Sequence, residues 1–211
     1  VFPPLIDDIE SFKAANAGAL AKKIAEARFR CQRCGKCCKS EFGDNTVTVF
    51  PSEIRGVMQA TGLGWLDIVR PNESCDMDDN GEYHTFEWAL RKKNNGECRF
   101  LENDRCTVYE HRPLICRSYP MNLDAGHLEV ELYECDGVGA GEMEEADVRR
   151  MAETLLRRQL TETMETVSLM ERYEPFHSNV PKPADEKVYV VHDSEGFRRV
   201  VMHKDGSCSF I

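Results

Sequence analysis

Residues 31–38 read Cys-Gln-Arg-Cys-Gly-Lys-Cys-Cys, four cysteines in eight positions that end in the adjacent pair Cys37-Cys38. Two uses of so many close thiols compete. Disulfides within this stretch would close tiny loops, and an adjacent pair bridges itself only with strain, because the peptide between them opposes the preferred disulfide dihedral. Disulfide-dense scaffolds are usually shorter than about 100 residues and spread their cysteines along the chain. This chain has 211 residues, long enough to bury a core without staples. A C-x2-C turn, by contrast, aims two thiolates at one ion, and repeating the step adds a third from the same short loop. The spacing therefore predicts ligation, with the fold stapled by metal.

Six further cysteines follow. Cys98, Cys106 and Cys116 fall within residues 96–120, Cys135 lies in ELYECDGVG, and Cys75 and Cys208 stand alone. Four thiols in the first stretch and four in the second region suit two four-ligand sites, or one site with supporting or redox-active thiols. Successive side chains diverge in most backbone conformations, so Cys37 and Cys38 are expected to serve different sites. Charge agrees with this reading. Residues 28–39 carry Arg28, Arg30, Arg33, Lys36 and Lys39 and no acid, in a chain of net charge −10. Nearby cations lower thiol pKa values and offset the negative charge of a thiolate-bound centre. Arg99, Arg105, Arg112 and Arg117 repeat the pattern around the second group.

The three segments together, CQRCGKCC at 31–38, CRFLENDRCTVYEHRPLICRSYP at 98–120 and CDGVG from Cys135, resemble the CxxCxxCC cysteine-cluster family, YkgJ-like proteins described as a zinc- or iron-chelating domain. The resemblance spans residues 31 to about 141. It implies that Cys31, Cys34, Cys37, Cys38, Cys98, Cys106, Cys116 and Cys135 form the cofactor- and metal-binding set, with Cys75 and Cys208 outside it. Members are labelled both as zinc or iron binders and as iron-sulfur oxidoreductases, and a related domain occurs in flagellin lysine methylases. The resemblance thus implies a class of cofactor and leaves the reaction open.

Around these segments the sequence reads as α+β: a small irregular metal-stapled core with short antiparallel strands, flanking helices, one long helix and a C-terminal hairpin. Apolar Ile9, Phe12, Leu20 and Ile24 predict an amphipathic helix over 8–28 that delivers the chain into the first cysteine loop. TVTVF at 46–50 reads as a strand, and Pro51, Ser52 and Gly62 bound a helix after it. The acidic stretch 71–82 misses the EF-hand spacing and is expected to be a solvated turn. Residues 82–90 are expected to pair with the Cys98 segment across Asn94-Asn95-Gly96, and 127–135 to form a strand with one buried face. GVGAGE at 137–142 lacks the full dinucleotide fingerprint and its βαβ surroundings, so it reads as a flexible turn. A helix over 143–172 follows, with Met151, Ala152, Leu155, Leu160, Met164 and Val167 on one stripe as core or a dimer face. Residues 174–186 read as a linker, and 187–206 as a hairpin turning near Asp193 to Gly196. The expected division is a cysteine-cluster domain over 1–173 and a linker with terminal hairpin over 174–211.

Composition and motifs bound the function. The acidic balance argues against nucleic acid and anionic membranes as partners. No apolar run spans a bilayer, so a soluble protein is expected; no leader is legible, although the chain opens on Val1 and a trimmed start is compatible with that, and the cytoplasmic location expected follows mainly from the ligand-like spacing of the cysteines. Neither a Ser/His/Asp constellation nor HExxH supports hydrolysis, and His192 and His203 are expected to be surface or strand residues. C-x2-C-x2-C matches the loops that supply three ligands to a cubane cluster. The favoured reading is an iron-sulfur protein with one or two clusters of the 4Fe-4S type, serving electron transfer or a redox-dependent modification or maturation step with a protein partner. The alternatives are a zinc-binding structural or interaction module and, on the strength of the related methylases alone, an enzyme of protein lysine methylation.

Overall fold

The computed structural model describes residues 18, 20–124, 129–173 and 186–211. Of the expected elements, 8–17 and 19 of the first helix, 127–128 of the strand before Cys135 and nearly all of the linker lie outside these residues. Helix α1, residues 20–26, is the described end of the first helix, and it buries Leu20 and Ile24 before a turn at Ala27 and Arg28. The cysteine loop follows and contains a 3-10 turn at Lys36–Cys38.

Strand β1 is Thr48–Val49 and helix α2 is Pro51–Thr61. Pro51 suits the first helical position because its missing amide hydrogen would have no partner there. The Glu53 carboxylate folds back to accept the Phe50 amide at 3.1 Å, and Gly62 ends the helix in the left-handed region at φ 72°. Helix α3, Trp65–Ile68, leads into β2, Val69–Pro71. Three short strands follow: β3 Asp76–Met77, β4 Tyr83–Thr85 and β5 Trp88–Leu90. Antiparallel β1, β5 and β2 form one sheet in that order.

The expected strand over 82–90 thus divides, with β4 and β5 in different sheets. The turn at 93–96 is present, with the Lys93 amide donating to the Glu97 carbonyl at 2.7 Å, and it aligns Cys98 opposite Lys92 in a single bridge. The acidic stretch also departs from expectation. Glu82 is 1% exposed and pairs with Arg199, while Asp78 Oδ1 accepts the amides of Asn80 and Glu82, each at 2.9 Å. Pairing with the guanidinium is what allows the Glu82 carboxylate to leave water.

Strands β6, Leu101–Glu102, and β7, Arg105–Cys106, make a tight ribbon. A 3-10 turn at Tyr109–His111 precedes helix α4, Leu114–Ser118, which carries Cys116. Strands β8, Met121–Asp124, and β9, Glu129–Leu132, pair antiparallel. The buried side of this pair comes from Met121 and Leu123 of β8, while β9 is mostly exposed and only Val130 packs inward, so the described part of the expected strand, 129–135, has no buried face. Helix α5, Glu145–Arg172, packs Val148, Met151, Ala152, Leu155 and Leu156 against α1 and β8. Past that contact the side of the helix that carries Met151 and Leu155 continues through Arg158, Glu162 and Leu169 and faces residues 48–53 and 193–194. Leu160, Met164 and Val167, expected on the same stripe, lie on another side of the helix, and Met164 and Val167 are 48% and 38% exposed.

The terminal hairpin, β10 Lys187–Asp193 and β11 Gly196–Met202, turns where the sequence predicts, and β12, Cys208–Phe210, adds to its far edge. It forms the middle of a five-stranded sheet in the order β12-β11-β10-β4-β3, with β10 parallel to β4. Val188, Tyr189, Val190 and Val191 are buried, each apolar side chain worth about 1.5–3 kcal/mol of transfer free energy. Asp193 fastens this sheet to the first, accepting Trp88 Nε1 at 2.8 Å while ion-pairing with Arg198. His192, on β10, is buried with its Nε2 3.0 Å from His84 Nδ1. Among the described residues, no helix is long and apolar enough to cross a membrane.

Candidate metal centre

The chain leaves α1 and runs alongside residues 137–141. The Arg30 amide donates to the Gly137 carbonyl at 2.9 Å, and the amides of Gly139 and Gly141 donate to the carbonyls of Ala27 and Arg28 at 3.1 and 3.2 Å. Gly137 permits the approach: a Cβ there would lie 2.6 Å from the Arg30 carbonyl oxygen and 2.8 Å from the Phe29 ring. The glycines after Cys135 thus hold the approach to the first cysteine loop. This docking sets Cys31 and Cys34 beside Cys135, whose sulfur accepts the Gly137 amide at 3.4 Å, and Lys36 closes the side with a 2.7 Å ion pair to Asp136. Burial raises the Cys135 thiol pKa, and the neighbouring Cys34, Cys37 and Cys31 raise it further.

The second half of the loop is fastened elsewhere. Gly35, at φ 73°, lies against the β6–β7 turn, where an added Cβ would sit 2.9 Å from the Asp104 carbonyl oxygen. Lys39 pairs with Asp104 at 2.5 Å, the Cys98 amide donates to the Cys38 carbonyl at 2.8 Å, and Asn45 Nδ2 donates to the same carbonyl at 2.9 Å. Cys37 and Cys38 therefore meet Cys98, with Cys106 at the end of β7 and Cys116 on α4 nearby. Adjacent side chains were expected to diverge, yet the 3-10 turn brings the Cys37 and Cys38 sulfurs to 4.0 Å.

The thiols in this second group perturb one another. Cys38 keeps its proton, its pKa raised by donating toward Cys37 and Cys98 and by burial. Those hydrogen bonds hold both Cys37 and Cys98 at about 7, against the opposing effect of burial. Arg112 also favours the Cys37 thiolate. Burial pushes Cys116 well above the ordinary thiol range, reinforced by Cys98, Cys37 and Cys106. Burial also raises Cys106.

All eight cysteines of the predicted set thus lie in two neighbouring groups, Cys31, Cys34 and Cys135 in one, and Cys37, Cys38, Cys98, Cys106 and Cys116 in the other, with Cys37 felt by both. All ten cysteines are free thiols. Among the described residues, no three His, Cys, Asp or Glu side chains converge on a point that could hold a metal ion. Cys75, which donates to the Glu73 carbonyl at 3.2 Å, and Cys208, on β12, pack against the core behind Trp88.

Several residues that support the site were not singled out in the sequence. Glu53 is the clearest: besides capping α2, it accepts the Leu114 amide at 2.7 Å and so anchors the helix that carries Cys116. Its place three residues after Phe50, at the start of a helix marked by Pro51, was a readable sign of a returning carboxylate. Tyr119, whose hydroxyl donates to the Glu134 carbonyl at 2.5 Å, stacks on Tyr133 and lies close enough to Cys135, Cys37 and Cys34 for their charges to raise its pKa, after burial, to about 12.

Comparison with curated proteins and with solved structures returned no match. A family model described as "CxxCxxCC: Putative zinc- or iron-chelating domain" matches residues 30–136. That span is half of the sequence and contains all eight thiols of the two groups, and the chain belongs to this metal-chelating cysteine-cluster family.

Proposed function

We propose that the chain is an iron-sulfur protein serving electron transfer or a redox-dependent modification or maturation step. The observation that carries this reading is the gathering of eight free thiols from well-separated segments, tied by backbone hydrogen bonds rather than by disulfides. Cys38, Cys98, Cys106 and Cys116 would supply one centre, and Cys31, Cys34 and Cys135, with Cys37 from between the groups, a second. The donor chemistry fits, since soft thiolates suit iron-sulfur clusters. A bound 4Fe-4S cluster would supply a redox couple whose potential depends on hydrogen bonds to sulfur and on solvent access. The chain's own residues position the ligands: Gly137 and Gly35 admit close backbone approach, Glu53 anchors α4, and Asn45 fixes the Cys38 carbonyl. Ten free thiols suit a reducing compartment such as the cytoplasm.

One observation favours a zinc module as the second reading. The 4.0 Å between the Cys37 and Cys38 sulfurs is close to the edge, about 3.8 Å, of a tetrahedron with Zn–S bonds of about 2.3 Å. Oxygen-free purification, followed by assay of iron, acid-labile sulfide and zinc and by visible spectra before and after dithionite, separates the two. Iron and sulfide in equal amounts with an absorption that bleaches on reduction is the expected result. Zinc without sulfide or colour eliminates the redox reading.

A further inference from the structure

The thiol face carries several arginines on a chain of net charge −10, alongside the exposed acids Glu41, Glu110, Glu134 and Asp136. The Arg33 guanidinium lies over the Tyr109 ring at 5.0 Å, and Arg112 lies over the same ring at 3.6 Å. Arg117 joins them, donating to the carbonyls of Arg112 and Glu110 at 2.6 and 3.0 Å. Arg30 is exposed nearby on the approach to Cys31. Among the described residues, none of these four guanidiniums has a carboxylate within ion-pair distance, whereas the lysines of the same loop are already matched, Lys36 to Asp136 and Lys39 to Asp104. The exposed thiol of Cys37 sits beside Arg112. Beside it Leu132 and Tyr133 are 45% and 52% exposed between the exposed Glu131 and Glu134, and Tyr133 stacks on Tyr119 beside the thiols.

We infer that this face docks a protein partner through an acidic patch, with partner carboxylates meeting Arg30, Arg33 and Arg112 around Cys37 and an apolar contact over Tyr133. The inference rests on the proposed function, in which a partner must reach the thiol-bound centre, and it names the chemistry of that partner. Guanidiniums without a carboxylate partner, Arg112 among them with its Nε and Nη1 donating to the Tyr109 and Cys116 carbonyls at 2.9 and 3.5 Å, beside an exposed aromatic are the composition of a protein-docking centre. Planar guanidinium forks match carboxylates bidentately. A nucleic acid is disfavoured. Its affinity comes from a long track of phosphate contacts, and beyond this patch such a track would run over a surface belonging to a chain of net charge −10. A compact carboxylate patch pairs within about one Debye length, about 8 Å in physiological salt, and avoids that repulsion.

The test uses the full chain purified without oxygen, with a fluorescent twenty-residue poly-glutamate peptide and a single-stranded oligonucleotide of equal length as probes. Arg33→Asn keeps a residue tolerant of the left-handed backbone found there, φ 52°. Arg30→Gln is the second variant, and Arg172→Gln, at the far end of α5, is the control. The expected result is peptide binding that weakens at least tenfold between 25 and 200 mM salt, and at least fivefold in each loop variant but not in the control, with the oligonucleotide weaker throughout. Peptide affinity unchanged in both loop variants, an equal loss in the control, or tighter binding of the oligonucleotide would overturn the inference. Metal and sulfide are assayed in the same samples. A wild-type chain that binds peptide without metal would count against the proposed function alone, and a metal-loaded chain that ignores the charge changes would count against the docking face alone.

Discussion

Gly137→Ala should damage the thiol site from a position that carries no ligand. The new methyl group would enter a space where the Arg30 carbonyl oxygen lies 2.6 Å away and the Phe29 ring 2.8 Å away. The carbonyl is backbone, so relief requires the entry strand to move, and overpacking of this kind costs about 1–3 kcal/mol. Displacing it also breaks the Arg30 amide bond to the Gly137 carbonyl, worth about 1 kcal/mol net. The total is about 2–4 kcal/mol, which lowers the urea midpoint by about 1–2 M for a slope near 2 kcal/mol/M. Gly141→Ala is the matched control, since an added Cβ there meets only the Arg30 side chain, at an ordinary 3.8 Å. Its stability should stay within about 0.5 kcal/mol of wild type. Urea unfolding followed by circular dichroism under anaerobic conditions reads both variants. Equal midpoints for wild type and Gly137→Ala, or equal losses in the two variants, would refute the claim that this close approach builds the site.

Glu53→Gln keeps the shape but offers one oxygen to two amides, so either Phe50 or Leu114 loses its acceptor; a cost of about 1–3 kcal/mol should appear in the urea midpoint, with faster protease cleavage near α4. In metal-free protein, the hydrogen bond from Cys38 holds Cys37 at about 7 whereas burial raises Cys106, so iodoacetamide labelling read by mass spectrometry should show Cys37 reacting with a midpoint near neutrality and Cys106 only in alkali. Burial, and then the charge of His84, depress the His192 pKa below 6.5. The unfolded chain therefore binds the extra proton first as pH falls: the stability linked to His192 is complete above pH 6.5 and is lost as pH drops through the depressed value. Thermal melting between pH 5 and 8 should show this slope flattened in His192→Gln, and an unchanged slope would assign it to other groups.

The sequence was most readable where a local signal matched a local structure. Pro51 and Gly62 bound α2 where they should, and the turn near Asp193 to Gly196 closes the hairpin, because caps and tight turns are decided by the few residues that form them. Pairing at long range was not readable. Nothing in EYHTFEWAL marks the break that sends Tyr83–Thr85 to one sheet and Trp88–Leu90 to another, and nothing in β10 announces a parallel partner about a hundred residues earlier. Spacing and the family resemblance named eight cysteines, and the structure sets them in two neighbouring groups that the sequence did not divide, because the grouping follows from Arg30 docking on Gly137 and Gly35 on Asp104. The contact between Cys37 and Cys38 escaped for a related reason, since the rule for adjacent side chains gives way inside a 3-10 turn.

The parallel pairing of β10 with β4 imposes an order on synthesis. While the ribosome is still making the residues before Lys187, the cysteine segments and α5 have been translated, but the strand that completes the wall behind Trp88 does not yet exist. The nascent thiols then wait on an unfinished scaffold, with the edge of β4 open to wrong partners. The ties that gather the sulfurs, Arg30 to Gly137 and Cys98 to Cys38, join only residues already translated, so a polypeptide stalled upstream of the last strands offers the gathered sulfurs on a fold whose second sheet is incomplete.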